Sequence, residues 1–322
     1  MDVDFNVMRE AGFFTRIEKN RKKDMKRVDQ QGGWKYIDNC PVCGQPSSSD
    51  TEIKYSEMGI ESIICNNCKC LHNNKIPKNP IEKYNLADSE DISDIPYEKK
   101  YDYRKKRFCE ERIKIIEKYL TYKPLEKARL LDVGCGTGFF LDVEKQYCNH
   151  VEGIETSKAI AKYAFEKRGL KIHTADLLGF KPNYAFDIIS MFDVIEHVGN
   201  PFEFLLAAKK LLNRGGIIMI FTPNYVSLAF DILGTKSNLY CPTEHLLFFS
   251  KPTVEYIAEK LSMNLSMFET KGMDIFDIMA FERDINKIDI VNSLIVQNIN
   301  MIQKHIDDMG FANHMRVILR KI

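Results

Sequence analysis

Residues 130–141 read LLDVGCGTGFFL: an apolar run, an acid, three glycines within five residues, then apolar residues again. Residues 129–133 have the character of a buried strand, 134–138 of a sharp turn, and Phe139 of a helix start. Glycine serves such a turn twice: it accepts φ > 0, and it lets the backbone approach a ligand with no Cβ in the way. The helix start beyond offers unpaired N–H groups and a partial positive charge to a carboxylate or phosphate. Alone, the turn is equally the device of dinucleotide enzymes, or a tight turn with no ligand at all.

What surrounds it narrows the fold. The short apolar runs ARLLDV, HVEGIE, KIHTA, FDIISMF and GIIMIFT alternate with amphipathic stretches that start near Gly138, Ser157 and Pro201. Such alternation predicts an α/β fold, a doubly wound and mainly parallel sheet with helices on both faces. Gly215-Gly216 is expected where a helix ends and the next strand begins. PTVEYIAEKL reads as a further helix, NLSMFET as a strand, and MRVILRKI as a closing strand. The expected organisation is a polar tail or solvated helix over 1–33, a cysteine-punctuated module over 34–72 and a linker over 73–96. The main domain then covers 97–322, with a helical insertion at about 273–310.

Three acids stand at successive strand ends, where ligands bind in open α/β sheets. Asp132 precedes the first glycine and is placed to meet an ammonium group. Glu155 ends HVEGIE, at the spacing where a carboxylate takes both ribose hydroxyls. Asp176 follows KIHTA, placed to accept from the exocyclic amine of adenine, or to serve as a surface acid or helix cap.

Five of the nine cysteines lie between Cys40 and Cys70. Cys40/Cys43 and Cys65/Cys68 are two CxxC pairs, and two such knuckles complete a tetrahedron around Zn²⁺. Four protein ligands make a closed, structural site. Cys70 and His72 are alternatives for one member of the second pair. Nothing nearby has the strand–helix setting of a redox pair. Basic and acidic residues nearly cancel, 46 against 45, so no global field draws the chain to nucleic acid or an acidic membrane. The N-terminus carries acids where a signal peptide has bases, and no run approaches the ~20 apolar residues of a span. A cytoplasmic location is therefore expected.

From about Tyr97 to Ser250 the chain resembles the class I S-adenosylmethionine-dependent methyltransferases, through LLDVGCGTG, VEGIETS, ADL, FDIISMFDVIEHVGNP and LLNRGGIIMIFTPN. The resemblance implies a seven-stranded sheet with its last strand antiparallel, and methyl transfer from a sulfonium to a nucleophile. It implies that Gly134, Gly136 and Gly138 line the methionine part of the cofactor, with Asp132 beside it. It also implies that Glu155 binds the ribose, Asp176 and Leu177 flank the adenine, and Phe192 and Asp193 border the methyl group. DVIEHV occurs in members acting on small molecules and is absent from the NPPY-type nitrogen and RNA methylases. CPVCG, a second CxxC and then the core is an order similar to that of methyltransferases with an N-terminal zinc-binding domain, several of which methylate carbon or oxygen of sugar nucleotides.

Methyl transfer to a hydroxyl or carbon acid needs a base near the acceptor. His245, in the loop after the fifth strand with Glu244 and Tyr240 beside it, is the expected base. His197 in IEHV is the second candidate, or a packing residue. Tyr97 and Tyr101 precede the glycine-rich strand, where one closes over the cofactor's carboxylate or both simply pack. The expected acceptor is a small polar metabolite, a sugar or sugar nucleotide foremost. The rival readings are an RNA- or protein-directed methylase whose zinc module grips a macromolecule, and a cofactor-binding module without catalysis.

Overall fold

The central strands form where the sequence places short apolar runs, rich in Ile, Leu and Val, between turn residues. In chain order the strands are β1 (Trp34–Tyr36), β2 (Ile53–Glu57), β3 (Ile60–Ile64), β4 (Leu71–Asn73) and β5 (Lys75–Pro77). There follow β6 (Arg129–Val133), β7 (His150–Glu155), β8 (Ile172–Thr174), β9 (Phe186–Phe192) and β10 (Leu212–Pro223), then β11 (Leu247–Phe248), β12 (Met263–Thr270) and β13 (His314–Lys321). The structure, a computed structural model, describes residues 3–47, 52–79, 101–290 and 292–322.

Seven strands make the central sheet, in the order β12-β13-β10-β9-β6-β7-β8. The pairs among β10, β9, β6, β7 and β8 are parallel, and β13 runs antiparallel between β10 and β12. The expected doubly wound sheet with its last strand reversed is thus the observed one. Its centre is dry: Leu130, Leu131, Ile188, Ile189, Ile217 and Ile218 are fully buried. Both faces are covered, so these strands read as continuous apolar runs. Distinct apolar clusters fill the two sides.

The helices between strands start and stop on local chemistry. In Lys158–Arg168 the Ser157 side chain accepts from the Ile160 N–H, and Gly169 ends the helix at φ 62°. Pro201–Leu211 opens on an Asn200 cap with proline in its first turn. Gly215-Gly216 departs from its expected place. The helix stops at Leu211, β10 begins at once, and the glycines lie in the register shift between Leu212 and Ile217. Gly215 takes φ 80° there, against the Tyr122 ring.

The appendages are bound more tightly than the sequence suggested. Within the first 33 residues, expected as a polar tail or solvated helix, Phe13–Gln30 is a helix that buries Phe14 and Val28; Phe14 stands edge-on to Phe281 and joins an apolar cluster with Phe276 and Ile306. The charged face conceals these few apolar residues. The start of the expected linker is strand instead: Asn73 ends β4, and Lys75–Pro77 is β5, which pairs with β1 and closes the module. Residues 80–96 of the expected linker, and Tyr97, lie outside the described residues. The expected insertion contains the helices Asp274–Asp284, Leu294–Gln297 and Ile299–Asp308. Finally β2, β3 and β4 take β11 as a fourth strand, so the module's sheet is completed by the main domain.

Candidate functional site

Gly134, Gly136 and Gly138 adopt φ 68°, 55° and 76°, the left-handed region that excludes other side chains at low cost. A Cβ on Gly134 would meet Val194 Cγ2 at 2.7 Å and one on Gly138 would meet Leu170 Cδ1 at 2.3 Å, whereas one on Gly136 would project into open space. The two outer glycines are therefore demanded by packing, and the middle one leaves the room a ligand needs. Glu155 folds back on this turn: Gly136 N–H donates to its Oε2 at 3.0 Å and Ser157 N–H to its Oε1 at 2.9 Å.

Asp132 is buried beneath the turn and accepts a 2.7 Å hydrogen bond from Ser190 on β9. Burial lifts its carboxyl to about 7, with Glu155 adding to the rise and Ser190 and Arg112 opposing it. A buried acid with one hydroxyl partner suits a cationic ligand group such as the methionine ammonium. Leu177 is buried beside exposed Asp176, whose carboxylate takes the Leu178 N–H at 3.4 Å. Phe192 stands edge-on to Phe140 and Phe221, with the Arg112 guanidinium 3.8 Å over its ring. Tyr101 stands edge-on to Phe139 and donates its hydroxyl to Asp142. These residues fit S-adenosylmethionine: open backbone at Gly136, a carboxylate at the second strand's end, and a buried acid for the ammonium.

Beyond β9 the backbone turns left-handed at Asp193 (φ 55°), an uncommon conformation that clusters at functional sites. A short turn, Ile195–His197, buries Ile195 and Glu196 and points His197 outward. The loop carrying His245 is stitched to it. Leu246 N–H donates to the Glu196 carbonyl at 2.8 Å, and His197 Nδ1 donates to the Glu244 carbonyl at 3.0 Å. His245 Nδ1 donates to the Leu239 carbonyl at 2.7 Å. A carbonyl only accepts, so both Nδ1 atoms carry hydrogen, and in the neutral ring Nε2 is the acceptor. The two rings stand edge to face with centroids 4.8 Å apart.

Both expected histidines are thus brought together at the end of β9, beside Asp193. Their expected companions are placed otherwise. Tyr240 is buried, stacked on Phe248, with its hydroxyl 2.9 Å from Ser62 of the module. Glu244 engages His197 through its backbone carbonyl. Glu196 went unremarked in the sequence. It is fully buried, takes the Thr222 hydroxyl at 2.9 Å on Oε2, and leaves Oε1 with no hydrogen-bond partner. An acid closing an otherwise apolar strand-end run, next to a histidine, was the available signal.

The cysteine calls converge as well. The sulfurs of Cys40, Cys43, Cys65 and Cys68 lie within 4.8 Å of one another, with Cys40–Cys68 at 3.5 Å and Cys43–Cys65 at 3.4 Å. Thiolates on one Zn²⁺ sit about 3.8 Å apart, given Zn–S bonds of ~2.3 Å in a tetrahedron. Cys70 lies outside this set, with its sulfur facing the Leu71 and Phe248 carbonyls, and His72 is a buried residue of β4.

Comparisons with known proteins identify the family. A family model described as a methyltransferase domain matches residues 101–291, more than half of the chain. The ubiquinone biosynthesis O-methyltransferase of Pelagibacter ubique (strain HTCC1062) is 34% identical over 167 residues, which cover 49% of this chain and 69% of that protein. The enzyme of the same name from Maricaulis maris (strain MCS10) is 33% identical over 117 residues, covering 34% of this chain and only 46% of its own length. An S-adenosylmethionine-dependent methyltransferase of known structure from Archaeoglobus fulgidus superposes with a TM-score of 0.46 at 20% identity, over 69% of this chain and 99% of that one. The chain belongs to the methyltransferase domain family, and within it to the S-adenosylmethionine-dependent enzymes.

Proposed function

We propose that this protein transfers the methyl group of S-adenosylmethionine to a hydroxyl oxygen of a small polar acceptor. The observation that carries the reading is the His197–His245 pair, in contact after β9, with each Nδ1 held by a backbone carbonyl so that Nε2 is the basic atom of the neutral ring. When bound, the cofactor supplies an electrophilic methyl group on a sulfonium. Asp132 then holds its ammonium, Glu155 its ribose and Leu177 its adenine, while Phe192 and Asp193 border the methyl group. The acceptor's oxygen loses its proton at the basic end formed by the two imidazoles as it takes the methyl group. Relatives named O-methyltransferases, at 33–34% identity, favour oxygen over carbon or nitrogen.

Sugars and sugar nucleotides remain the first acceptors to try, on the zinc-module resemblance. Ring hydroxyls of ubiquinone precursors come second, on the relatives' names. Cys40, Cys43, Cys65 and Cys68 are assigned to one structural Zn²⁺, and none of the nine cysteines is paired in a disulfide, which accords with a reducing cytoplasm. No helix of the described residues is long and apolar enough to cross a membrane.

The test is formation of S-adenosylhomocysteine with a panel of hydroxylated acceptors, in wild type and His245→Gln. The expected result is turnover that falls about 100-fold or more in the variant, with unchanged affinity for S-adenosylhomocysteine. Near-normal turnover in His245→Gln would remove the pair from the chemistry. Turnover only with RNA or protein would overturn the small-acceptor reading.

A further inference from the structure

The acceptor side holds a set of groups that a base alone does not require. Glu196, His197 and His245 each offer one ligand atom, and these atoms lie within 4.8 Å of one another. Glu196 Oε1 stands 4.0 Å from His197 Nε2. Bonds of about 2.0–2.2 Å from nitrogen and oxygen to one ion put neighbouring ligand atoms about 3–3.5 Å apart, so small side-chain rotations close the set. Each imidazole donates its other nitrogen to a backbone carbonyl, the support that orients a ligating histidine and fixes its tautomer. The carboxylate is fixed too, by Thr222 on one oxygen, while the other is buried without a hydrogen-bond partner. Leaving such an atom unmet costs free energy unless something cationic meets it.

We propose that Glu196, His197 and His245 bind one divalent transition-metal cation, distinct from the four-cysteine site. Two imidazoles and one carboxylate suit Zn²⁺, Fe²⁺, Mn²⁺ or Co²⁺ and disfavour Mg²⁺ and Ca²⁺, which take oxygen ligands. Three protein ligands leave coordination positions open, the pattern of an ion that meets a substrate. His197 is the exposed member, with 39% of its side chain accessible, so those positions face the open side of the site. Asp193, with its carboxylate 3.7 Å from His314, supplies further negative charge at the rim. This deepens the acceptor-site reading and rests on it for what the open positions face. With the cation bound, its charge would acidify a hydroxyl placed on an open position, the proton passing to solvent, and the two imidazoles would serve there as ligands in place of the direct base role given to them above.

The full-length protein, loaded with zinc at its cysteine site, is titrated with Co²⁺ and followed by visible absorption and metal analysis. We expect one Co²⁺ per chain beside the zinc, with the weak bands of a nitrogen–oxygen site and no thiolate charge-transfer band. In His197→Gln, at an exposed position, and in His245→Gln, affinity should fall about tenfold or more, with zinc content and S-adenosylhomocysteine binding preserved. Absence of the second metal, or its undiminished binding in both variants, overturns the proposal. If Co²⁺ binds there and no hydroxyl acceptor is methylated, the metal site stands and the functional reading falls. If hydroxyl transfer proceeds at full rate with only the cysteine site filled, the functional reading stands and this one falls.

Discussion

Asp132 is the residue whose environment makes the sharpest claim about the cofactor. Its carboxyl is raised to about 7 chiefly by burial, against the pull of Ser190 and Arg112, and with the repulsion of Glu155 beside it. Glu144, also fully buried, adds a second acid close by. An ammonium docked on Asp132 favours the ionised carboxylate and draws its pKa down. Binding below that pKa must therefore expel a proton, so cofactor affinity rises with pH and levels off once Asp132 is already ionised. Calorimetric titration with S-adenosylhomocysteine should show affinity climbing by up to about tenfold per pH unit below pH ~7 and flattening above it. Asp132→Asn should bind more weakly and with a flat profile over the same range. A wild-type profile that is flat from pH 5.5 to 8 would mean that the ammonium does not meet this carboxylate.

At the scale of elements, the glycine-rich turn separates packing from ligand binding. Gly138→Ala forces a side chain into φ 76° and drives its Cβ into Leu170, so a loss of about 2–4 kcal/mol is expected. Gly136→Ala meets only the backbone strain, about 1–2 kcal/mol, yet fills the open space and should cut S-adenosylhomocysteine affinity about tenfold or more. Thermal melts and binding measured on both variants check the contrast; equal affinity in Gly136→Ala and wild type would assign that space to something else. The turn and the strands around it were legible in the sequence because their signals are local: a glycine cluster, capping residues, and apolar runs of strand length. The insertion of β13 between β10 and β12 carries no local signal, and only the family resemblance anticipated a reversed strand. The pairing of β11 with β4 was hidden for another reason: β11 is two residues long, and its partner lies far away in sequence. Glu196 escaped because an acid beside a histidine looks like a surface pair until the fold buries it.

Across the whole molecule, the cysteine module and the loop that carries His245 form one mechanical unit. Asn73, on β4, is buried and donates through Nδ2 to the carbonyls of Pro242 and His245, each at 3.1 Å. Leu247 pairs with His72, and the Tyr240 hydroxyl meets Ser62, so the loop that presents His245 is anchored on the module from both sides. Asp132, Glu155 and Phe192, proposed above to meet the cofactor, stand instead on β6, β7 and β9. The module's fold therefore controls where His245 sits and has little leverage on the glycine turn. Chelation is a poor probe of this coupling, since it strips every metal the chain holds. Asn73→Leu is the better one, because it cuts both side-chain hydrogen bonds to the loop while leaving all four cysteines in place. A displacement of about 1 Å at a positioning residue costs on the order of 100-fold in rate. The variant should therefore lose turnover by tenfold or more, while zinc content and S-adenosylhomocysteine affinity stay near wild type. Hydrogen exchange should quicken over residues 239–248 in the same protein. Should Asn73→Leu keep full turnover with that segment loosened, the module only stabilises the chain, and acceptor binding is independent of where it holds the loop.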